Sequence, residues 1–584
     1  MIKLLKYMKG YRAAAISAPF FKVLEALFEL MIPLVVADII DVGIKNSDRP
    51  YVIKMCGLMI LLGFVGFTCT LFAQYFAARA AVGFSANIRS AVFGHAQKLS
   101  FSDIDRLGTN TMITRITNDV TQVQSGVNLT LRLFSRSPVI VFGSMIMAFT
   151  LDIPSAWIFV VAIPLLCIIV FGIMLGSIPL YKKVQSNLDR VLGITRENLG
   201  GTKVIRAFAN EEKEIQHFDE SNASLTAMQK FAGKFSALMN PVTCLIVNLA
   251  IVALIYTGAI RVDAGALTPQ GAVLTQGIVI ALYNYMSQIL VELVKLANLI
   301  ITMTKAAACA GRIENILEDG GQAPAKADST EKKDDFAVSF SDVSLTYANA
   351  SEESLSNIDF SVKKGATVGI IGGTGSGKTS LAHLIPRFYD ASKGEVRLDG
   401  VDIRAYSSEE LRKKVGIVMQ KAVLFQGTIR ENIRWGNPGA TDEEIMKALE
   451  LAQAKEIVES KEGGLDFIIE QDGKNLSGGQ RQRLGIARTL VADPEILIFD
   501  DSASALDYAT DARLRSAVRN MKGEHTVFIV SQRAASILHA DQILVLDDGK
   551  LVGTGTHEEL LDSSEVYREI YYSQFPKEKE EVHV

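Results

Sequence analysis

Six apolar stretches occupy most of the first 305 residues of this chain. Each exceeds the roughly 20 residues that a helix needs to cross a bilayer. A mean hydropathy of +0.23 is high for a chain with 21% charged residues. The pattern predicts an all-α domain of six transmembrane helices over residues 1–317, embedded in a lipid bilayer. The stretches lie near residues 15–43, 52–80, 128–151, 155–179, 237–260 and 274–300.

Basic residues indicate how this domain is oriented. Four of them, from Lys3 to Arg12, precede the first stretch, and the two long connections 81–127 and 180–236 carry further clusters. Lysine and arginine are enriched in cytoplasmic segments. The two connections are also largely helix-like, so we expect helical extensions that reach well below the bilayer. The N-terminus and everything after the sixth stretch are then cytoplasmic.

Composition changes after the sixth stretch. Residues 318–335 are rich in glycine, alanine, lysine and aspartate without an apolar period, which is typical of a linker. A second domain follows over 336–574, and 575–584 form a charged tail. The net charge of -4 gives no sign of a nucleic-acid partner. The five cysteines lack metal-ligand spacing.

The first motif with a chemical role in the second domain is rich in glycine. It follows the apolar run Thr367–Ile371 and precedes helix-like residues that begin at Ser380. A strand, a glycine loop and a helix in this order bind nucleotide phosphates through backbone N–H groups, and an ordinary turn is the weaker interpretation. Lys378 then reaches the terminal phosphates of ATP and Thr379 ligates Mg²⁺. The motif reads Gly372-Gly373-Thr374-Gly375-Ser376-Gly377-Lys378-Thr379.

A second apolar run ends in a carboxylate. Ile496–Phe499 is a buried-strand pattern, and Asp500 after it is placed to hold Mg²⁺. With these motifs the chain resembles an ABC transporter of the exporter type, in which the second domain is an α/β P-loop ATPase. The likeness covers essentially the whole chain. It is carried by the signature Leu476-Ser477-Gly478-Gly479-Gln480, by Asp500, by the D-loop Ser504-Ala505-Leu506-Asp507 and by Gly555-Thr556-His557.

The resemblance implies a role for several single residues. Tyr347 would stack on adenine, although an ordinary strand tyrosine is the alternative. Gln420 would contact Mg²⁺ and sense the phosphate. The signature would act on ATP held by a partner, so a single copy cannot close an active site. Short coupling helices, here near 101–108 and 208–215, would carry motion to the ATPase domains.

Two positions depart from the family pattern. Asp501 stands where a catalytic glutamate is expected, and Gln532 stands where a switch histidine is expected. The shorter carboxylate retracts by about 1 Å, a misplacement that can cost on the order of 10²-fold in rate. An amide can donate to the γ-phosphate but cannot carry a proton. Harmless drift, since an aspartate can still act as a base, is the weaker interpretation. A homodimeric exporter with slow ATPase activity is a further alternative.

These departures resemble the degenerate-site subunit of bacterial heterodimeric multidrug-type exporters. We therefore expect a second half-transporter as partner, with the glutamate and histidine restored. We expect an ATP-driven exporter in the cell membrane of a bacterium. A nucleotide-gated channel or regulatory subunit, and an importer on the same fold, are the alternatives.

Polar residues inside the apolar stretches are the only sign of cargo. One group of polar residues lies on a single face of the sixth stretch, and a second group lies on a single face of the first stretch. They could line a cavity for small amphipathic, even cationic, molecules, or they could form ion pairs between helices; we favour ion pairs. The cavity candidates are Glu25, Glu29, Asn284, Gln288 and Glu292, with Lys22 and Lys295 on the same two faces.

Overall fold

The computed structural model describes residues 3–271, 273–318, 335–348, 350–502, 506–521 and 525–576. These residues form two units. The first comprises the described parts of Met1–Gln97 and Asn110–Asp319, and the second those of Lys98–Thr109 and Gly320–Val584. Most of the predicted linker and tail, 319–334 and 577–584, lies outside the described residues. The predicted boundaries at 317 and 336 stay predictions, and residues 98–109 group with the second unit.

The first unit is helical, as predicted. A 3₁₀ turn at Lys3–Met8 precedes the first helix, and π-helical segments lie at Ile39–Ile44 and Arg115–Asp119. Its helices are α1 (Arg12–Asp38), α2 (Arg49–Ala96), and, after α3 (Phe101–Leu107) of the second unit, α4 (Thr109–Thr114), α5 (Val120–Leu133), α6 (Arg136–Leu151), α7 (Ile153–Gly200), α8 (Thr202–Ala207), α9 (Glu211–Ala237), α10 (Met239–Asp263) and α11 (Gln276–Glu318).

Among the described residues, five helical stretches are long and apolar enough to cross a membrane by length and composition. The helix over the first predicted span, α1, is not among them because it carries Lys22, Glu25 and Glu29, so the first span, near 15–43, stays a prediction. The predicted cytoplasmic extensions are present as helix, since α2 and α7 each continue for 48 residues. The five stretches are Arg49–Ala96, Thr109–Leu151, Ile153–Gly200, Glu211–Asp263 and Gln276–Glu318.

The third predicted span, 128–151, is divided into two helices. A turn at 134–135 separates α5 from α6. Pro138 accounts for the break, because proline has no N–H to donate to the carbonyl of the residue four positions earlier. The break places Arg136 at the start of α6, where its guanidinium faces neighbouring helices.

Small side chains bring α1 and α2 together. Ala73, Ala77 and Ala80 repeat at helical spacing on α2 and are fully buried, and Ala18 and Ala26 of α1 are equally buried. Alanine lets helix backbones approach closely, which is how helices associate where lipid removes the usual hydrophobic advantage of burial.

The second unit contains two main sheets. Four antiparallel strands form a sheet in the order β2-β1-β4-β5, and six strands form another in the order β12-β11-β3-β10-β9-β6. The strands are β1 (Phe336–Leu345), β2 (Leu355–Lys363), β3 (Thr367–Gly372), β4 (Lys393–Leu398), β5 (Val401–Asp402), β6 (Val415–Val418), β7 (Gly427–Thr428), β8 (Ile468–Ile469), β9 (Ile496–Asp500), β10 (Thr526–Val530), β11 (Gln542–Asp547) and β12 (Lys550–Gly555); β7 and β8 pair with each other.

The topology of the larger sheet determines where the candidate site residues lie. Strands β3, β10 and β9 are parallel, with Val530 paired to both Ile370 and Asp500. Parallel strands end at one edge of the sheet, where loops form ligand sites. The glycine loop, Asp501 and Gln532 follow these three strands, so topology gathers them there. The α/β architecture expected of the second domain is confirmed.

Helices cover this sheet, and several begin with a capping box in which a Ser or Thr and a Glu or Gln three residues later bond each other's backbone. Such boxes start α13, α14, α15, α17 and α19. The helices are α12 (Lys378–Leu384), α13 (Ser408–Lys414), α14 (Ile429–Arg434), α15 (Asp442–Leu451), α16 (Lys455–Glu459), α17 (Gly478–Leu490), α18 (Tyr508–Arg519), α19 (His557–Ser563) and α20 (Glu565–Gln574).

The short helix α3 belongs to this unit through aromatic contacts. The ring of Phe101 lies 4.5 Å from that of Phe388, centroid to centroid. The hydroxyl of Tyr389 donates to Asp105 Oδ2 at 2.6 Å. One of the two predicted coupling segments therefore contacts the ATPase domain, whereas the other, at α8 and the start of α9, lies in the first unit with Phe208 and Ile215 exposed.

Candidate functional site

The glycine loop curls around the ammonium of Lys378. Lys378 Nζ donates to the carbonyl oxygens of Gly372 at 2.9 Å and Gly373 at 2.6 Å. Gly375 and Gly377 have φ of +84° and +93°, a backbone region open to glycine, and Gly377 immediately precedes α12. Burial lowers the pKa of Lys378, while Asp501 and Asp500 oppose that shift. The loop thus concentrates positive charge and N–H donors at the sheet edge.

Asp500 lies at the end of β9 with its carboxylate 2% exposed. Thr379 Oγ1 donates to Asp500 Oδ1 at 3.0 Å, and His383 Nε2 lies 3.4 Å from Oδ2. Mg²⁺ prefers oxygen ligands, and one or two protein oxygens complete its shell beside phosphate and water. The hydroxyl and carboxylate oxygens here fit that ion. Among the described residues, no group of three or more His, Cys, Asp or Glu could hold a metal ion by itself. Phosphate and water oxygens would have to complete the shell at Asp500.

Asp501 is held by Gln420. Gln420 Nε2 donates to Asp501 Oδ2 at 3.2 Å, and the Asp501 N–H donates to the Val530 carbonyl at 3.0 Å. The backbone of Asp501 has φ of +43°, a region that aspartate tolerates better than most residues. Burial raises the pKa of the Asp501 carboxyl, the donor from Gln420 opposes the rise, and the charge of Asp500 adds to it.

A cavity of about 690 Å³ is lined by Lys378, Thr379, Gln420 and Asp501, but not by Asp500, and its size suits a small-molecule site. Gln532 also borders it, and its backbone carbonyl accepts from Gln574 Nε2 at 2.9 Å. The predicted residues that line the cavity are Thr374, Gly375, Gly377, Lys378, Thr379, Ser380, Gln420, Asp501 and Gln532.

Sequence reasoning missed one wall of this cavity. Residues 350–354 and the pair Asp548 and Gly549 also line it. Asp548-Gly549 joins β11 to β12, and an Asp-Gly pair between apolar runs is a hairpin signal that could have located the turn. No local signal marks residues 350–354 as part of a site.

Tyr347 lies just beyond β1 and is anchored at its hydroxyl. Tyr347 Oη and Ser380 Oγ are 2.8 Å apart and share a hydrogen bond. The ring meets Tyr389 edge to face at 4.9 Å. Burial raises the pKa of Tyr347. Its stacking on adenine stays a prediction.

The signature begins α17 with an exposed N-terminus. The Gln480 N–H donates to Ser477 Oγ at 3.3 Å, and the Ser477 N–H donates to Gln480 Oε1 at 2.9 Å. Leu476 is buried beneath this cap, while Ser477 and Gly478 are exposed. None of the described residues that line the 690 Å³ cavity comes from Leu476–Gln480. The signature therefore presents N–H donors away from the chain's own cavity.

Only half of the predicted D-loop can be described. Ser504 and Ala505 lie outside the described residues. Leu506 is buried, and Asp507 caps α18 by accepting from the Thr510 N–H at 3.1 Å.

In the first unit, the charged residues of the apolar stretches form ion pairs. Arg136 donates to Glu29 at 2.6 Å and to Glu292 at 2.7 Å, which joins α6 to α1 and α11. Lys22 pairs with Glu25 at 2.6 Å. Ion pairing between helices, the interpretation favoured from the sequence, is what the structure contains. The sequence analysis missed Arg136, the residue at its centre.

A second cavity, of about 410 Å³, lies beside these pairs. Glu25 does not line it, because that carboxylate faces Lys22 and Arg136 instead. Gln288 Oε1 is buried there and has no hydrogen-bond partner among the described residues. The lining comprises Glu29, Ile32, Pro33, Ile140, Asn284, Ser287, Gln288, Val291, Glu292 and Lys295.

Comparison with known families agrees with both units. The family model of the ABC transporter transmembrane region matches residues 16–289, and the family model described as ABC transporter matches residues 355–504. The chain belongs to the ABC transporter family. It is an exporter-type half-transporter, with a transmembrane domain fused to one ABC ATPase domain, and half-transporters of this kind work as dimers.

Individual ABC transporters resemble it over nearly their whole length. The uncharacterised ABC transporter ATP-binding protein YfiB of Bacillus subtilis (strain 168) is 36% identical over 100% of both chains. An ATP-dependent lipid A-core flippase of Vibrio vulnificus (strain YJ016) is 28% identical over 98% of this chain and 97% of its own. The solved structure of a bacterial Atm1-family ABC exporter with ATP bound superposes with a TM-score of 0.80, at 25% identity over 96% of this chain and 99% of that one.

Proposed function

We propose that this half-exporter is the degenerate-site subunit of a heterodimer, which holds ATP·Mg²⁺ at its own site and completes the partner's catalytic site. The observation that carries the proposal is the position of Asp501, whose short carboxylate is tied to Gln420 at 3.2 Å. A general base must reach the water it deprotonates, and about 1 Å of retraction costs on the order of 10²-fold in rate.

Gln532 supports the same conclusion. Gln532 borders the cavity, and a glutamine amide can donate to a phosphate oxygen but cannot take up a proton. Binding is preserved because Lys378, Thr379 and Asp500 are arranged for a phosphate and a magnesium ion. The site then holds nucleotide and hydrolyses it slowly.

The intact signature supports the need for a partner. Ser477 and Gly478 stand exposed at the start of α17, and a helix N-terminus favours a phosphate. Exposed apolar residues at the turn between α7 and α9, such as Leu199, Val204 and Phe208, are 74%, 60% and 72% exposed. Exposed apolar groups of this kind mark protein contacts. A second half-transporter would cover both the exposed signature and these exposed apolar side chains.

We place the N-terminus and the ATPase domain in the cytoplasm, where ATP is available, and the exporter-type fold supports outward transport. The cargo is an amphipathic or hydrophobic molecule. Glu29, Asn284, Gln288 and Glu292 supply polar groups at the 410 Å³ cavity, and apolar Ile140 and Val291 share it. Since the carboxylates already face Arg136 or Lys295, a bare cation has no unpaired carboxylate among the described lining residues, so cationic cargo is not specified.

The dimer is tested by affinity purification of the tagged full chain from its native membranes. We expect a second ABC half-transporter in a 1:1 ratio, with glutamate and histidine at the two altered positions. In that pair, Gly478→Arg should abolish most ATP turnover, because it blocks the signature. Asp501→Asn should change turnover less than about twofold. A homodimer, or loss of turnover in Asp501→Asn, would refute the proposal.

The cargo site has its own test. Glu29→Gln and Glu292→Gln are compared with the parent pair for stimulation of ATP turnover by amphipathic compounds. A changed compound preference supports a cargo role, and an unchanged one leaves only the ion pairs. Arg261→Met with Asp152→Asn, which removes an ion pair of 2.9 Å outside the cavity lining, is the matched control.

A further inference from the structure

His383 approaches Asp500, the proposed magnesium ligand, from the same helix face as Thr379. The two residues are four positions apart on α12, so their side chains point the same way. Thr379 Oγ1 reaches Asp500 Oδ1 at 3.0 Å, and His383 Nε2 lies 3.4 Å from Asp500 Oδ2. Both carboxylate oxygens of Asp500 are therefore faced by side chains of one helical turn.

The contact by His383 is incomplete. His383 Nε2 is buried and has no hydrogen-bond partner among the described residues, since its approach to Asp500 falls outside hydrogen-bond geometry. Buried polar atoms are almost always satisfied. A small rotation of the imidazole or of the Asp500 carboxylate would complete an N–H···O bond. The orientation of the ring thus determines how firmly Asp500 is held.

Two aromatic residues set the orientation of this ring. Phe388 meets the imidazole edge to face at 5.4 Å, and Tyr389 lies parallel to it at 6.3 Å. The same two residues contact α3: Phe388 through Phe101 at 4.5 Å and Tyr389 through Asp105 at 2.6 Å. One continuous set of side chains therefore runs from α3 to the carboxylate.

We propose that His383 is a positioning residue for Asp500, and that contact of Phe101 in α3 with Phe388 sets the affinity of the site for its divalent cation. The inference rests on the proposed magnesium site at Thr379 and Asp500. Residues one shell away from a metal fix the direction of its ligands, and their loss commonly lowers metal affinity 10- to 100-fold. The position of α3 in this way affects how tightly the site binds its metal ion, and not only the nucleotide.

The test uses the purified full chain with ATP and Mn²⁺, a paramagnetic substitute for Mg²⁺, whose bound fraction is read by electron paramagnetic resonance. His383→Phe keeps an aromatic ring but removes the donor. We expect Mn²⁺ affinity to fall about 10-fold, while ATP affinity measured in EDTA stays unchanged. His383→Gln, which can still donate, should restore most of the affinity.

Phe101→Ala should weaken Mn²⁺ binding in the same direction, and the double variant His383→Phe/Phe101→Ala should be no weaker than His383→Phe alone. His525→Phe is the matched control, because His525 Nε2 lies 3.6 Å from Asp493 in a pair that does not line the cavity. It should leave Mn²⁺ affinity unchanged.

Unchanged Mn²⁺ affinity in His383→Phe, or additive effects of the two substitutions, would overturn the inference. If His383→Phe does not fold, Phe101→Ala leaves the site residues in place, and wild-type affinity in that variant is equally decisive against it. If the wild-type chain binds ATP but no Mn²⁺, the proposed metal site is wrong and this inference falls with it.

Discussion

Gln420 Nε2 lies 3.2 Å from Asp501 Oδ2, so the residue that would sense the phosphate is bonded to the residue that would activate water. In this arrangement the carboxylate is held toward Gln420 in the wall of the cavity. A longer acid could keep that bond and still extend further. The pairing therefore relates the slow chemistry proposed here to one missing methylene.

Restoring the family residues should restore chemistry at this site. With the partner's own site disabled, Asp501→Glu/Gln532→His should raise the residual ATP turnover at least about 10-fold, because the base regains reach and the switch regains a titratable ring. Steady-state phosphate release measures the effect. Asp562→Glu, at an exposed aspartate, is the control for lengthening an acid. A double variant as slow as the parent would show that Asp501 and Gln532 do not limit the site.

The cap of the signature helix should be separable from its role toward ATP. Ser477→Ala and Ser407→Ala each remove a capping-box hydroxyl, from α17 and α13 respectively. Each should cost about 1 kcal/mol of stability, visible by thermal unfolding. Only Ser477→Ala should also lower ATP turnover of the assembled pair. Equal turnover in both variants would argue that Ser477 serves α17 alone.

Arg136 should be essential to the packing of the first unit. Arg136→Met leaves Glu29 and Glu292 without their guanidinium, and loss of one partner from a buried ion pair costs about 3–5 kcal/mol. The thermal midpoint of the purified chain should drop, and the exposed Arg206→Met should not change it. Glu292 keeps Lys295 as a partner, so Arg136→Met/Glu29→Gln, which removes the carboxylate that has no other ion pair among the described residues, should recover most of the loss. No recovery would mean that the side chain of Arg136 acts by packing.

We expect the second unit to lose folding stability at alkaline pH because of Tyr567. It is fully buried, its hydroxyl lies 2.8 Å from His557 Nδ1, and burial raises its pKa from 10.0 to about 12. A raised folded-state pKa means that stability is fully present below pH 10 and is lost as pH rises toward 12, by about 2 kcal/mol. Tyr567→Phe should lose less stability over that interval in unfolding experiments. The exposed Tyr508→Phe should behave like the parent chain.

Local motifs made much of this molecule predictable. The glycine loop, Asp500 and the signature each lie within a few residues whose pattern also determines a strand, a turn or a capped helix. The parallel sheet then brings Lys378, Asp501 and Gln532 to one edge without further information. The helical character of the first unit was predictable as well, because its apolar stretches are local patterns in the sequence.

The remainder depended on contacts between residues distant in sequence. Arg136 lies 156 positions from Glu292, and nothing near either residue marks them as partners. His383 is a single histidine on a short helix, and its relation to Asp500 exists only because α12 packs against β9. Pro138 did carry a local signal, and it explains why one predicted span became two helices.

The placement of α3 has a consequence for a cut chain. Residues 98–109 belong to the unit that also contains the ATPase fold, although both neighbouring segments of sequence belong to the other unit. A protease that severed the peptide between 319 and 334 would leave Phe101 on one fragment and Phe388 on the other, still in contact. The ring pair and the hydrogen bond from Tyr389 to Asp105 would then be non-covalent contacts between two separate fragments.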